Sequence, residues 1–401
     1  MNAGRLILAL CTAQVLTMAG VFAFPALLPT FVAEWGLSKT EAGWIAGVYF
    51  VSFAVVAPPV MALTDRVDAR MVLAAGALMA AVSAAGFALL ADGFWSALAF
   101  RALAGASLAA TYLPGLRALV DRYRGALPSR AISFYTSSFS FGTALSFLLA
   151  GETAAIFGWR IAFAATAAAA LLAVLVPLRL RPVAPERPQT PAHLLDFRPV
   201  LANRRALAFI LAYGIHCWEL FAMRSWLVAF LAFSLTLQPE TSMAWLSPTT
   251  IATLSALAAM AASIGGNELC VRFGRRRVIA CVMCASALAS AGIGFAAPLP
   301  YGLLAVLAVA WAAVVQLDSA ALTAGTVQAA APGRRGATLA VHAFVGFGCA
   351  GIGPLVLGMA LDLSGGGTSV VSWGIAFASI AVVGLLGPPA LMIGGRARRR
   401  G

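Results

Sequence analysis

The chain alternates between long apolar runs and short polar segments. Each apolar run is close to or above the length of about 20 residues that a helix needs to cross a bilayer. The pattern predicts twelve membrane-spanning helices, at about 6–32, 42–63, 71–91, 94–118, 129–151, 159–179, 206–233, 246–270, 277–297, 300–325, 336–360 and 371–394. Prolines at five positions inside these spans are expected to kink them: Pro25, Pro29, Pro58, Pro59 and Pro114.

Composition supports a membrane protein. Of the 401 residues, 62% are hydrophobic and 10% are charged, whereas a soluble domain carries about 25% charged residues. So few charges do not cover a water-facing surface of this size. The first apolar run, 6–32, is too long for the core of a signal peptide, and we interpret it as an uncleaved span.

The basic residues predict the topology. If the N-terminus is cytoplasmic, all 27 Lys and Arg residues fall in cytoplasmic segments except four: Lys39 and Arg160 on the opposite side, and Arg101 and Arg224 within spans. This bias predicts that both termini are cytoplasmic. Because the arginines lie in short clusters between apolar runs, the net charge of +13 does not indicate nucleic-acid binding. The scarcity of lysine and the abundance of alanine suggest a bacterial source, hence an inner membrane.

The chain divides into two similar halves. A proline-rich cytoplasmic linker is expected at 181–205, between six-helix bundles at 1–180 and 206–401. At an offset of about 206 residues, four residues of the first half match residues of the second half. These are Leu63, Arg66, Arg70 and Val72, which fall on Leu269, Arg272, Arg276 and Val278. The matches suggest an internal duplication of six spans, an architecture common in transporters.

The loop between spans two and three contains Leu63, Asp65, Arg66 and Arg70. Their spacing resembles the signature loop of the major facilitator superfamily, Gly-x-Leu-x-Asp-Arg-x-Gly-Arg-Arg/Lys, of which both glycines and one Arg are replaced here. The second copy, 269–276, keeps Gly-Arg-Arg but has Val at the Asp position. The resemblance covers the whole chain through its 6+6 plan, and it implies an all-α fold of twelve transmembrane helices that works by alternating access.

The resemblance also implies a gating role for this loop. Asp65 would face the positive N-terminal end of the eleventh span, and Arg66 would pair with Asp121 at the end of span four. The gating-loop residues are therefore Asp65, Arg66, Arg70, Asp121 and Arg272. The alternative is that Asp65 and Arg66 only mark the topology.

Two further comparisons concern spans four and five. The segment Arg101–Gly105 resembles the family's Arg-x-x-x-Gly pattern, in which the Arg is linked to proton coupling or substrate binding. Ala104 replaces the Gln that usually precedes the Gly. Span five lacks the Gly-Pro-rich motif typical of drug/proton antiporters in the family. This absence disfavours drug efflux.

Four ionisable residues are expected inside the membrane, where an unpaired charge costs several kcal/mol. They are Arg101, Glu219, Arg224 and Asp318, on spans four, seven and ten, which the resemblance places around a central cavity. We predict that Arg101, Glu219 and Arg224 face one cavity. Two arginines would suit an anionic solute. Mutual salt bridges that only pin helices together are the alternative.

Other polar residues extend the candidate site. His216 lies one turn from Glu219, and such a pair can relay protons. Four side chains are candidate polar contacts of the cavity, with helix–helix hydrogen bonds as an equal alternative: Gln14, Tyr49, Tyr112 and Gln316. His216 lacks further credible metal ligands, so we expect neither a metal nor a cofactor. The six cysteines lie in or beside apolar segments, and we expect no disulfide among them.

The sequence therefore predicts a secondary transporter of a small solute, with protons as the candidate coupling ion. An anion is the solute class that the arginines would suit. The main alternative is an efflux proton antiporter for drugs or metabolites with the same fold. A membrane enzyme is disfavoured because no nucleophile–base pair is evident, and a sensor because no additional cytoplasmic module is present. A monomer in the lipid bilayer is expected.

Overall fold

The computed structural model describes residues 2–125, 128–185, 197–238, 243 and 245–393. Within these ranges the chain forms α-helices joined by short turns. The helices are α1 Ala3–Met18, α2 Ala23–Ala26, α3 Leu28–Trp35, α4 Lys39–Leu63, α5 Ala69–Leu90, α6 Phe94–Arg122, α7 Pro128–Phe157, α8 Trp159–Leu178, α9 Arg198–Ala202, α10 Arg204–Thr236, α11 Pro248–Phe273, α12 Arg275–Ile293, α13 Tyr301–Gln316, α14 Ser319–Ala329, α15 Arg335–Leu363, α16 Val370–Gly384 and α17 Gly387–Met392.

The all-α fold class predicted from the sequence is confirmed. Within the described ranges, eleven helical segments are long and apolar enough to cross a membrane. They correspond to the second through twelfth predicted spans. The first predicted span, 6–32, is divided into α1, α2 and α3, and the divided part contains Pro25 and Pro29, which are expected to kink it. The twelve spans form two sets of six in chain order.

The division of the first span follows from its local sequence. Glycine weakens a helix, and proline lacks the amide hydrogen that an intact helix needs. Here Gly20 lies in the break between α1 and α2, Pro25 lies within α2, and Pro29 lies in the first turn of α3. In hydrocarbon, the backbone groups freed by such a break must find partners in the protein.

Two side chains supply partners at the break between α1 and α2. Ser146 of α7 donates its hydroxyl to the Ala19 carbonyl at 2.8 Å and accepts the Phe22 amide at 2.9 Å. The guanidinium of Arg101, on α6, donates to the carbonyls of Gly20 at 3.4 Å and Val21 at 3.1 Å. The break is therefore held by hydrogen bonds from two neighbouring helices.

A second break separates α13 from α14, at Leu317 and Asp318. Gly266 of α11 packs directly against the Leu317 carbonyl, and a Cβ atom at position 266 would overlap this backbone oxygen. The neighbouring Gly265 has open space at the corresponding position. The absence of a side chain at Gly266 thus allows α11 to lie against the interrupted helix.

The linker predicted at 181–205 contains helical structure in its last part. Residues 186–196 of the predicted linker lie outside the described residues. The following segment contains α9, which has Pro199 in its first turn, and α10 already begins at Arg204. Asn203, between α9 and α10, caps the N-terminus of α10 by accepting the Ala206 amide at 3.2 Å. Helix α10 therefore begins as a separate helix after α9.

The chain divides into two compact units, with residues 1–37 and 48–190 in the first and 38–47 and 191–401 in the second. In the first unit, α5 packs extensively against α6 and α8, and α1 packs against α7 and α8. In the second unit, the largest contact joins α10 to α15, and α11 packs on α13. Helix α10 is largely buried along its length.

The start of α4 belongs to the second unit and is fixed there by Asp362 at the end of α15. The Asp362 carboxylate accepts the Lys39 amide at 3.0 Å, the Thr40 amide at 2.7 Å and the Thr40 hydroxyl at 2.6 Å. These bonds satisfy amides that a helix N-terminus leaves without a partner. Gly43 and Gly47 pack on the α15 backbone, so the two helices approach closely.

The contrast between Gly266 and Gly265 gives a direct test of the packing at the second break. We expect Gly266→Ala to destabilise the protein by about 1–3 kcal/mol, because the added methyl group overlaps backbone and not a movable side chain. Gly265→Ala on the same helix should be neutral or slightly stabilising, because alanine favours helix. Thermal unfolding of the purified variants measures both effects. Equal unfolding temperatures for the two variants would contradict the close packing of Gly266.

Candidate functional site

Three ionisable side chains of α10 are buried inside the second unit. His216, Glu219 and Arg224 are 2%, 3% and 8% exposed. They lie on one helix but reach three different neighbours, α12, α13 and the break before α14. The site is therefore a set of contacts from α10 to the surrounding helices and not a chain of ion pairs along α10.

Glu219 is held by two serine hydroxyls of α12. The Ser290 hydroxyl donates to Oε1 at 2.6 Å, and the Ser286 hydroxyl donates to Oε2 at 2.9 Å. Trp311 of α13 donates its indole N–H to the Ser290 oxygen at 2.8 Å, which leaves the Ser290 hydrogen for Glu219. The Ser286 hydroxyl also lies 3.1 Å from the Met283 carbonyl and so has a second acceptor.

His216 and Asp318 form a second buried pair. Their Nδ1 and Oδ1 atoms are 2.8 Å apart, so they form an ion pair when the imidazole is protonated. Asp318 follows the end of α13, where the break directs its side chain to α10. This pairing differs from the His216–Glu219 relay suggested by their spacing, because Glu219 binds the serines of α12.

His342 of α15 contacts two hydroxyl groups and one aromatic ring. Its ring nitrogens lie 3.1 Å from the Thr326 hydroxyl and 3.3 Å from the Thr323 hydroxyl. Its ring stacks on Tyr213, with 3.7 Å between centroids. Tyr213 in turn lies 5.9 Å from the His216 ring. A line of rings therefore leads from His342 to the His216–Asp318 pair.

Arg224 and Gln316, both predicted from the sequence to face the cavity, contact each other. The Arg224 guanidinium donates to Oε1 of Gln316 at 3.2 Å and lies 5.8 Å from the centre of the Phe221 ring. Gln316 is the last residue of α13, directly before the break that carries Asp318. The guanidinium and both carboxylates of this site thus lie along α10 and its contacts with α12 to α14.

In the first unit, Arg101 is 2% exposed. Its Cζ atom lies 4.3 Å from the centre of the Tyr49 ring, a cation–π contact. Its two terminal nitrogens donate to the carbonyls at the break of the first span. Gly105, one turn further along α6, packs on the backbone of Tyr49. The Arg101–Gly105 motif therefore joins α6 to α1 and α4 within this unit.

The other candidate polar residues of the first unit take part in contacts between helices. Tyr135 of α7 donates its hydroxyl to Gln14 Oε1 at 2.7 Å. The same hydroxyl lies 3.0 Å from the Tyr112 carbonyl, and the rings of Tyr112 and Tyr135 stack with centroids 6.0 Å apart. Sequence reasoning did not identify Tyr135, which is fully buried and connects both candidates.

The gating loop forms ion pairs different from those expected. Arg117 of α6 pairs with Asp65 at 3.3 Å and with Asp121 at 3.0 Å. In this structure Asp121 therefore contacts Arg117, although the resemblance assigned it to Arg66. Arg66 is exposed, as is Arg272 near the end of α11.

Asp68, which is not among the gating-loop residues predicted from the sequence, is the central acid of this loop. It occupies a glycine position of the signature, caps α5 through the Arg70 amide, and accepts two bonds from Arg122 at 2.6 and 2.7 Å. It also accepts the Val183 amide at 2.8 Å. Arg70 lies 3.2 Å from Asp68 and also donates to the Leu180 carbonyl. The start of the linker is therefore tied to the loop.

The structure thus brings Glu219, Arg224, His216 and Asp318 into the same unit and places Arg101 in the other. The prediction that Arg101, Glu219 and Arg224 face one cavity stays a prediction. No group of three or more metal-ligating side chains occurs among the residues that the structure describes. All six cysteines are free thiols.

Comparison with known proteins identifies the family. Residues 10–247 match the family model of the Major Facilitator Superfamily, and the chain belongs to this superfamily. It is a membrane transporter and not an enzyme. A comparison of the sequence with curated proteins gives no match.

Solved structures with the same fold agree with this assignment. A bacterial homolog of the human lysosomal transporter Spinster, inward-facing and unoccupied, has a TM-score of 0.76 and 16% identity, covering 98% of this chain and 95% of its own. The nucleoside transporter NupG has a TM-score of 0.74 and 17% identity, covering 99% and 100%. A D-xylose-proton symporter has a TM-score of 0.75 and 13% identity, covering 98% and 97%.

The Asp68 contacts predict a pH dependence of stability. Burial raises the pKa of this carboxyl, but hydrogen bonds from Arg122, Val183 and Arg70 together lower it below its ordinary value of 3.8. A lowered folded-state pKa means that ionised Asp68 stabilises the fold above the unfolded-state pKa. This contribution is lost as the pH falls through the folded-state pKa.

We therefore expect Asp68→Asn to unfold at a lower temperature than the wild type at pH 7. The gap should close as the pH falls below 3.8. Thermal unfolding of the purified proteins across pH tests this, with Arg122→Gln and the double variant completing a cycle. A gap that stays constant with pH would show that Asp68 acts through packing alone.

Proposed function

We propose that this transporter carries a small anionic solute by alternating access and couples the movement to protons. The observation that carries the proposal is that two carboxylates, Glu219 and Asp318, and the Arg224 guanidinium are all buried within the second unit. Ionisable groups inside a membrane are costly, and transporters use them in substrate and ion pathways. The D-xylose-proton symporter, which shares the fold, supports coupling to protons.

The hydrogen bonds of Glu219 suit a group that gains and loses a proton. Ser290 receives the Trp311 N–H and so donates only to Glu219. Ser286 has two acceptors within reach, Glu219 Oε2 and the Met283 carbonyl. When a proton from water binds Oε2, the Ser286 hydroxyl can turn to Met283 and accept the new O–H. Protonation of Glu219 at this oxygen therefore costs no hydrogen bond.

Arg224 is the proposed contact for the anionic group of the solute. A guanidinium presents parallel N–H donors that match a carboxylate or phosphate. Gln316, its partner, is a neutral side chain that a solute anion can displace. Asp318 lies two residues after Gln316, and His216 contacts Asp318. Solute binding at Arg224 and protonation of the carboxylates are therefore electrostatically linked.

The distribution of arginines along the chain supports an orientation of the protein in the membrane. Arginines in the loops after even-numbered spans support a cytoplasmic location for both termini in a bacterial inner membrane. The transporter is proposed to act as a monomer.

Glu219→Gln tests the proton step. In proteoliposomes we expect the variant to keep solute counterflow, which needs no net proton movement, and to lose accumulation driven by a pH gradient. Glu268→Gln, an exposed glutamate on α11, is the matched control and should behave as the wild type. Full gradient-driven accumulation by Glu219→Gln would contradict a coupling role for this residue.

Arg224 variants test the solute class. With small mono- and dicarboxylates as candidate solutes, Arg224→Gln should lower uptake by about tenfold or more, because it removes a charge-assisted bond. Arg224→Lys should be intermediate, because the charge remains but the paired donors are lost.

Two results would contradict the assignment of an anionic solute or favour the alternative function. Uptake of neutral sugars or nucleosides that is unaffected by Arg224→Gln would refute the anion assignment. Resistance of cells to several apolar drugs on overexpression would favour the efflux alternative.

A further inference from the structure

Arg101 faces a small cavity that lies entirely within the first unit. The cavity has a volume of about 30 Å³ and lies between residues of α1, α4, α5, α6 and α8. Arg101 and Tyr49 line it together with four Ser and Thr residues, Thr17, Ser83, Ser107 and Thr166. The volume is enough for about two water molecules or one ion of similar size, and it is too small to enclose a sugar or a nucleoside.

Within the described part of the chain, the positive charge of Arg101 has neutral partners only. The guanidinium stays charged at neutral pH, and its two terminal nitrogens donate to the carbonyls of Gly20 and Val21. The face of the Tyr49 ring lies beside it. Among the residues that the structure describes, its Nε atom has no hydrogen-bond partner, and no carboxylate lies within ion-pair distance. Carbonyls and a ring face reduce the cost of a buried charge but do not neutralise it.

The hydroxyls around the cavity are able to serve an anion. Thr17, Ser107 and Thr166 each donate to the carbonyl three residues earlier on their own helix, and Ser83 donates to the Phe100 carbonyl. Helix carbonyls already accept the backbone amide of a following residue, so they lose little when such a hydroxyl turns away. The same hydroxyls can then donate into the cavity beside the Arg101 side chain.

We propose that this cavity, defined by Arg101 and the hydroxyls of Thr17, Ser83, Ser107 and Thr166, binds one small monovalent anion of halide size. One negative charge balances the guanidinium, the volume limits the anion to a halide or a one-carbon carboxylate, and the hydroxyls replace its hydration. This assigns Arg101 to a resident anion and not to the transported solute. The binding is independent of the solute that the protein carries and of its coupling ion.

The test uses the purified full-length protein and its thermal unfolding. Sodium gluconate is replaced stepwise by chloride, bromide or formate at constant ionic strength and pH, with propionate as the oversized anion. A ligand that binds only the folded state raises the unfolding temperature as its concentration exceeds its dissociation constant. We expect this rise for the three small anions in the wild type and its loss in Arg101→Gln.

A second pair of variants leaves Arg101 intact. Ala84 of α5 lines the cavity, whereas Ala85 beside it does not. Ala84→Val adds two methyl groups to the space and should weaken anion binding about tenfold or more, because the ion loses room and at least one charge-assisted bond. Ala85→Val should bind as the wild type does. This pair keeps the test decisive if Arg101→Gln fails to fold.

Three results would overturn the proposal. One is an equal response to chloride in Arg101→Gln and the wild type. Another is equal chloride binding by Ala84→Val and Ala85→Val. The third is stabilisation by propionate as strong as that by chloride and dependent on Arg101, which would identify the end of a larger solute as the ligand. Bromide located beside Arg101 by anomalous scattering in the wild type, and missing in Ala84→Val, would support the proposal independently.

Discussion

A backbone carbonyl or amide that leaves a helix inside a bilayer has no water to bind, and this constraint organises the polar interior of the protein. The first span is interrupted after Met18, which frees groups at Ala19 to Phe22. Ser146 and Arg101 satisfy them from neighbouring helices. The positive charge that looks functional in the sequence is thus also a structural partner of a helix break.

The second unit has a related arrangement, in which the ionisable side chain at the helix break is an acid and not a base. Its interrupted helix carries Asp318 at the break, and this carboxylate meets His216 of α10. In both units an ionisable side chain lies where a helix is interrupted. Broken helices give a membrane protein backbone dipoles and side chains near one point, which is why transporters place binding sites there. The breaks therefore connect the architecture with the chemistry.

Helix α10 carries the ionisable side chains that the buried polar groups of the neighbouring helices contact in the second unit. Its charged residues contact α12 through serines, α13 through Gln316 and the α13–α14 break through Asp318. Polar contacts of this kind specify how neighbouring helices are rotated, because a misplaced partner leaves a polar group without a hydrogen bond in an apolar medium. The same contacts offer alternative hydrogen-bond states, as Ser286 illustrates. Structural specificity and a capacity to bind protons are thus combined in one set of residues.

The sequence alone determined the twelve spans, the all-α fold and the positions of Arg101, Glu219, Arg224 and Asp318 within spans. These properties depend on hydrophobicity and charge along the chain, which a bilayer sorts by segment. Only the tertiary structure decided the partners. Ser286 and Ser290 look like ordinary small residues in an apolar helix, and Asp68 stands at a position where the family pattern has glycine. Which side chains meet depends on the rotation, crossing and interruption of the helices. These are set by packing across segments far apart in the chain, and no local pattern records them.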